Sequence, residues 1–281
     1  MLKANPYVRF CENHRIYILK GKYRMKACLV IPLMFVGLFY VSSAYAMTNM
    51  HAKQLAIAAV KGDTTDLAKL ESAAKSGNAV AQKWLGAYWG AKKDDVKEIY
   101  WLKKAADQGK AADQGNAWVE NNLGVAYFNG LGVRKDYAKA DSWYEKAAAQ
   151  GDAKAENSLG ENYQGGLGVR KDYAKADSWY EKAAGQAFAP AEFNLGTVYD
   201  HGYGVPKDYA RADYWYKRAA DQGFAPAELN LGTAYAHGKG VHKNMIKAIT
   251  WWEKAAAQGG RVGRLAQGNI IIIDHSEEPQ I

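Results

Sequence analysis

Residues 123–151 read LGVAYFNGLGVRKDYAKADSWYEKAAAQG. The pattern returns at 159–187 as LGENYQGGLGVRKDYAKADSWYEKAAGQA, at 195–223 as LGTVYDHGYGVPKDYARADYWYKRAADQG, and at 231–259 as LGTAYAHGKGVHKNMIKAITWWEKAAAQG. Leu123, Leu159, Leu195 and Leu231 are spaced by 36 residues, and Trp143, Trp179, Trp215 and Trp251 keep the same step. Self-similarity at such a period is the signature of a stacked repeat array. Upstream the pattern continues with defects. LGAYWG at 85–90 matches the start of a unit and WLKKAADQG at 101–109 its end, but the Gly-x-Gly-Val stretch is missing and the Leu-to-Trp gap shrinks from 20 residues to 16. KAADQG occurs at 104–109 and again at 110–115, a six-residue duplication that lengthens one junction. SAAKSG at 72–77 closes a weaker unit that begins near Ala52.

Each unit reads as two helices. In the second regular unit the first helix, A, runs near 153–164, with Ala155, Leu159 and Tyr163 recurring on one face. Gly165, Gly166 and Gly168 break it. Asp172 then caps helix B, whose apolar face is Tyr173, Ala176, Trp179, Tyr180, Ala183 and Ala184. Gly151, Gly223 and Gly259 suit left-handed helix ends, and Pro190 and Pro226 fall in the first turn of the next helix A, where proline is tolerated. One helix pair cannot bury such faces alone, whereas stacked neighbours can. The expected fold is all-α: a right-handed α-solenoid of antiparallel helix pairs from about 52 to 259. Residues 47–115 hold the degenerate and shortened units, 116–259 four regular ones, and 260–281 a cap or tail. In that tail Ile270 to Ile273 cover the last apolar face or dock on a partner.

The sequence of L-G-x-x-Y, G-x-G-V, K-D-Y-x-K-A and W-Y-x-K-A-A-x-Q-G resembles the Sel-1-like repeats, relatives of the tetratricopeptide repeats. The resemblance covers 78–259 well and 52–77 weakly. It implies a scaffold that binds proteins or peptides on the concave side lined by helix A. It also implies a role in regulating signalling or host interaction or, as a further reading, a hydrolase of cell-wall or β-lactam chemistry; an envelope assembly or structural factor is the alternative beside them.

The N-terminus reads as an export signal. Residues 25–46, MKACLVIPLMFVGLFYVSSAYA, place Lys26 and the bases before it ahead of an apolar run from Ala27 to Val41 and the A-x-A site Ala44-Tyr45-Ala46. The run is 15 residues, short for a membrane span of about 20. A cleaved signal and an uncleaved anchor are the two readings, and the first fits better. Residues 1–24 are either an over-called extension before a true start at Met25 or a long basic segment of the signal. Cys11 and Cys28 both precede the cut, so the mature chain would have no disulfide. The expected location is periplasmic or secreted, with no membrane span left after cleavage.

The charge of +8 is concentrated there as well. Seven bases stand against Glu12 in residues 1–46, which leaves 30 bases and 28 acids for the remainder. A nucleic-acid binder should carry its basic patch on the folded part. No nucleic-acid partner is expected, and the Trp and Tyr rows follow the apolar face as core residues rather than as a base-stacking platform.

No nucleophile–base set, phosphate loop or cofactor fingerprint stands out, so neither catalytic residues nor cofactors nor a metal site are expected. Each G-x-G-V lies between helices, without the strand a nucleotide motif needs. Glu120, Glu156, Glu192 and Glu228 recur in every regular unit, which suits a helix-start charge rather than one active site. The positions that vary between units are more informative. Just before the repeat leucine stand Asn122, Ser158, Asn194 and Asn230; two after it, Val125, Glu161, Thr197 and Thr233; six after it, Asn129, Gly165, His201 and His237. These offsets share one helical face. Asn122, Asn194, Thr197, His201, Asn230, Thr233 and His237 are therefore the candidate partner-binding residues, the asparagines being able to pair with a peptide backbone through donor and acceptor together. A solvated face without a ligand is the plainer alternative, as are rim histidines without a metal.

Overall fold

The computed structural model describes residues 47–111 and 116–276, and, between 11 and 24, four two-residue strands. These pair as two antiparallel hairpins, Cys11–Glu12 with Arg15–Ile16 and Leu19–Lys20 with Tyr23–Arg24. They belong to a first unit, Met1–Thr48, separate from the second, Asn49–Ile281. The export reading of 25–46 and the duplicated Gln114-Gly115 lie outside the described residues.

The second unit is an α-solenoid. Its described residues form α1 (Asn49–Val60), α2 (Thr64–Lys75), α3 (Ala79–Ala91), α4 (Asp95–Ala111), α5 (Ala117–Asn129), α6 (Tyr137–Ala149), α7 (Ala153–Gly165), α8 (Tyr173–Gly185), α9 (Ala189–His201), α10 (Tyr209–Asp221), α11 (Ala225–His237), α12 (Met245–Ala257) and α13 (Gly260–Ser276). Each pairs chiefly with its neighbours in sequence. The boundaries follow from local chemistry. Asp136, Asp172, Asp208 and Asn244 each accept a hydrogen bond from the amide three residues on, capping α6, α8, α10 and α12. Pro190 and Pro226 sit in the first turns of α9 and α11. Gly151, Gly223 and Gly259 end helices with φ near +79°, +79° and +69°. In the second regular unit the residue at this place is Ala187, and it keeps the left-handed conformation at φ +56°. A side chain there costs about 1–2 kcal/mol relative to glycine.

Why the helices pack so closely is visible at the repeat Leu-Gly. A Cβ at Gly160 would lie 2.5 Å from Cε1 of Tyr180. Glycine thus makes room on helix A for a flat ring from helix B, and the same pairing joins Gly124 to Tyr144, Gly196 to Tyr216 and Gly232 to Trp252. All four rings are buried. The repeat tryptophans differ. Trp143, Trp179, Trp215 and Trp251 are half-buried and pack against clusters that straddle the boundary with the preceding unit. Their other side is covered by cations, with Lys182 Nζ 3.9 Å from the Trp179 ring and Lys254 Nζ 4.0 Å from Trp251. The expectation that both aromatic rows form the core holds for the tyrosines and Trp252, and only in part for the repeat tryptophans.

A second tie joins the far ends of each helix pair. Gln186 Nε2 donates to Glu156 at 2.8 Å, Gln222 to Glu192 at 2.6 Å, and Gln258 to Glu228 at 2.7 Å; Gln150 donates to Glu120 in the same way. These glutamates stand in the first turn of helix A, as a helix-start charge should, but they are also buried. In the shortened unit Gln108 donates to Gln82 at 2.8 Å, across 26 residues instead of 30. The four missing residues are those of the absent loop. There α3 and α4 are joined by three residues, with Lys93 left-handed at φ +60°. At the other end α13 packs on α12 and α11. Ala266 is buried and Ile270 joins the Trp252 cluster, whereas Ile271 and Ile272 are exposed.

Candidate helix-A recognition face

The polar face of helix A divides between internal bonds and open surface. Asn122 Nδ2 donates to Trp118 O at 2.7 Å. Asn194 Nδ2 reaches across the repeat boundary to Asn157 Oδ1 at 2.9 Å and to Glu161 Oε1 at 3.4 Å. The Thr197 and Thr233 hydroxyls donate to carbonyls one turn back, Phe193 O at 3.1 Å and Leu229 O at 3.0 Å. His201 and His237 are exposed, each with Nδ1 against the carbonyl of the preceding threonine, at 3.1 Å and 2.9 Å. The amide ladder is therefore interrupted, because part of its donor capacity holds neighbouring units together.

Between the units the face opens into two equivalent cavities. The first, about 300 Å³, is lined by Glu161 and Gln164 from α7, Tyr173 and Tyr180 from α8, Asn194 from α9 and Tyr203 from the loop after it. One repeat on, a cavity of about 180 Å³ is lined by Asp200 and His201 from α9, Tyr209, Asp213 and Tyr216 from α10, Asn230 and Thr233 from α11, and Lys239. An aromatic stack links the two. Tyr173 and Tyr203 lie 5.5 Å apart at 4°, and His201 stacks on Tyr203 at 5.2 Å. The structure thus brings Asn194 to one cavity and His201, Asn230 and Thr233 to the next, but lines neither with Asn122, Thr197 or His237. Asp200, Tyr209, Asp213 and Lys239 are lining residues that the sequence reading passed over.

The second cavity brings two acids together, Asp200 and Asp213. Asp213 is 6% exposed, and its Oδ2 accepts no hydrogen bond. Burial, and then the neighbouring Asp200, push its carboxyl up to about 7, with Lys239 acting in the opposite direction. Lys239 Nζ lies 2.6 Å from Asp200 Oδ1 and 4.3 Å from the Tyr209 ring centre. Among the described residues no group of three His, Cys, Asp or Glu side chains is arranged to hold a metal ion.

The period and these helix pairs agree with a known sequence family. The Sel1 repeat family model matches residues 79–110, 120–152, 153–188, 189–224 and 225–260. The chain belongs to the Sel1 repeat family. The five matched Sel1 repeats include the shortened unit, and the two cavities lie across the boundaries between the last three. No curated protein matches the chain. Among solved structures, a Sel1 repeat protein from Oxalobacter formigenes is 36% identical with a TM-score of 0.61, over 66% of this chain and 75% of that one. A protective antigen present in uropathogenic Escherichia coli strains, displaying an SLR fold, is 28% identical with a TM-score of 0.69 over 85% of this chain. The chain spans about half the length of that antigen, 51%. The type IV pilus biogenesis factor PilW, 19% identical with a TM-score of 0.52, shares the fold. Among the described residues no helix is long and apolar enough to cross a membrane.

Proposed function

We propose that this Sel1 repeat array is an exported scaffold that holds an extended peptide segment of a protein partner along its helix-A face. The carrying observation is the pair of cavities one repeat apart, which share two tyrosines and an asparagine and differ where Gln164, Gly165 and Tyr203 give way to Asp200, His201 and Lys239. Residues that serve only the stack recur in every unit. Half of the paired cavity residues change, as surface adapted to a ligand would. Export rests on the basic segment, apolar run and A-x-A site of 25–46. N-terminal sequencing of the protein recovered from the periplasm or medium is expected to begin at Met47. An intact leader on a cytoplasmic product overturns the export half of the reading.

Binding is tested by selecting ligands from a phage-displayed library of short random peptides against the purified protein. Alanine at Asn194, Thr197, Asn230 and Thr233 together is expected to weaken the selected peptides by tenfold or more, about 1.4 kcal/mol. Stability should change little. Helix propensity gains several tenths of a kcal/mol per site, while the lost Asn194–Asn157 bond and the 3.4 Å contact between Tyr216 OH and Thr197 Oγ1 take back about 0.5–1.5 kcal/mol each. Unchanged peptide affinity with an unchanged melting temperature would move the contact surface off this face.

A further inference from the structure

The repeats provide an internal comparison that isolates one place in the array. Five residues after the repeat leucine stand Phe128, Gln164, Asp200 and Ala236; eighteen after it stand Asp141, Asp177, Asp213 and Ile249. Only the third regular unit has acids at both positions. The residue eight after the leucine of the following unit forms the lip: Tyr203 for the first cavity and Lys239 for the second. In the first unit Asn162 Nδ2 donates to Asp141 Oδ1 at 2.5 Å. For Asp213 the residue at that place, 21 positions on, is Ala234, which has no amide to offer.

Lys239 shows what this cavity accepts. Its ammonium pairs with Asp200 and rests over Tyr209, which leaves Asp213 Oδ2, buried at the cavity wall, without a hydrogen-bond donor. The other polar groups of the lining are the Asn230 amide, the Tyr216 and Thr233 hydroxyls and the His201 ring. A planar guanidinium suits these features together. It stacks on a tyrosine ring as an ammonium does, offers a fork of donors to a carboxylate, and is more weakly hydrated than an ammonium when it leaves water.

We propose that the cavity formed by Asp200, Tyr209, Asp213 and Asn230 is a receptor for an arginine side chain of the partner. This rests on the scaffold reading above and names the chemistry of its partner: a basic segment whose arginine enters between α9, α10 and α11. Lys239 is the chain's own competitor at the lip, half in the site and displaceable because its side chain is 43% exposed. The neighbouring cavity is not an equivalent receptor. Glu161 there already accepts from Asn157 at 2.9 Å, and Tyr203 replaces the lip lysine.

The test uses the isotopically labelled full chain and three small probes: the N-acetyl, N-methylamide derivatives of arginine, lysine and glutamate. Amide resonances of Tyr209, Asp213 and Asn230 are followed during titration. The arginine probe should give saturable shifts there and bind about tenfold or more tightly than the glutamate probe. Asp213→Asn should weaken it by about tenfold or more, and Lys239→Ala should strengthen it several-fold. Asp213→Asn removes a buried charge and so should fold, which its circular dichroism confirms. Absence of saturable shifts at these amides, tighter glutamate binding, or an unaltered response in Asp213→Asn overturns the proposal. The peptide selection distinguishes the two levels. Selected peptides that depend on helix A but not on Asp213 leave the scaffold standing without its arginine receptor. Arginine binding without any helix-A-dependent peptide overturns the scaffold reading.

Discussion

Tyr180→Ala is expected to cost about 3–5 kcal/mol, the range for emptying a large aromatic site in a close-packed interior. Tyr180 is 1% exposed, lies flat on Gly160, and donates from its hydroxyl to Gln164 Oε1 at 2.9 Å. The cavity left behind cannot fill from Gly160, which has no side chain, and four of the six other buried residues of the Tyr180 cluster are alanines. Trp179→Ala next door should cost about 1–2 kcal/mol, because the indole is half-buried and part of its surface is already in water or under Lys182. The same contrast applies to Tyr216 and Trp215, so the large loss that a buried repeat tryptophan would imply belongs to the following tyrosine. Because each unit touches only its neighbours, loss of Tyr180 should also broaden the unfolding transition as the array divides in the middle. Urea denaturation of both variants checks this. Equal losses for the two would mean that the rings share the core evenly.

That contrast shows where the sequence was legible. Caps, helix ends and proline positions depend on a few adjacent residues, so Asp172, Pro190 and Gly223 could be placed without a structure. The 36-residue step carried the rest of the fold, since a repeat that cannot bury its own face must stack. Trp179 and Tyr180 are adjacent and both apolar, and periodicity could not tell which ring faces the partner helix. The deciding signal was Gly160, the one residue opposite that leaves space for a ring. The Gln186–Glu156 tie spans 30 residues and depends on the pairing of helix ends. The candidate face was found through offsets that repeat on one helix. Asp200 and Asp213 escaped because their meeting depends on how α9 lies against α10. Comparing columns across units would have marked them, since no other regular unit has acids at both places.

Stability is expected to fall as the pH rises from about 5 to 8, and Asp213→Asn should remove much of that fall. The carboxyl of Asp213 is pushed up to about 7 and that of Asp177 to about 6, both chiefly by burial, with Asp200 and Glu181 as the further causes. In the unfolded chain an aspartate releases its proton near pH 4. Between those values the folded protein holds more protons than the unfolded one, so the balance shifts toward unfolding as protons are withdrawn. For Asp213 alone the full window is worth up to about 4 kcal/mol, at 1.36 kcal/mol per pH unit of difference. Glu156, Glu192 and Glu228, raised by burial against their glutamine or arginine partners, act in the same direction. Asp94 and Asp136, held low by hydrogen bonds from Lys97 and Lys139, act in the opposite one, but both carboxylates are solvent-facing and their weight is small. Lys239 faces Asp213 and limits the rise without cancelling it. Asparagine at 213 keeps the shape and carries no charge, so the variant should be more stable than the parent at pH 8 and nearly equal to it at pH 4. Urea midpoints at the two pH values measure this directly. A parent chain that grows more stable from pH 5 to 8, or an Asp213→Asn variant with the parent's pH dependence, would mean that Asp213 is charged in the fold at no cost. The guanidinium probe then has a second signature, because a bound cation favours the carboxylate and should flatten the same pH dependence in the parent while leaving Asp213→Asn unmoved.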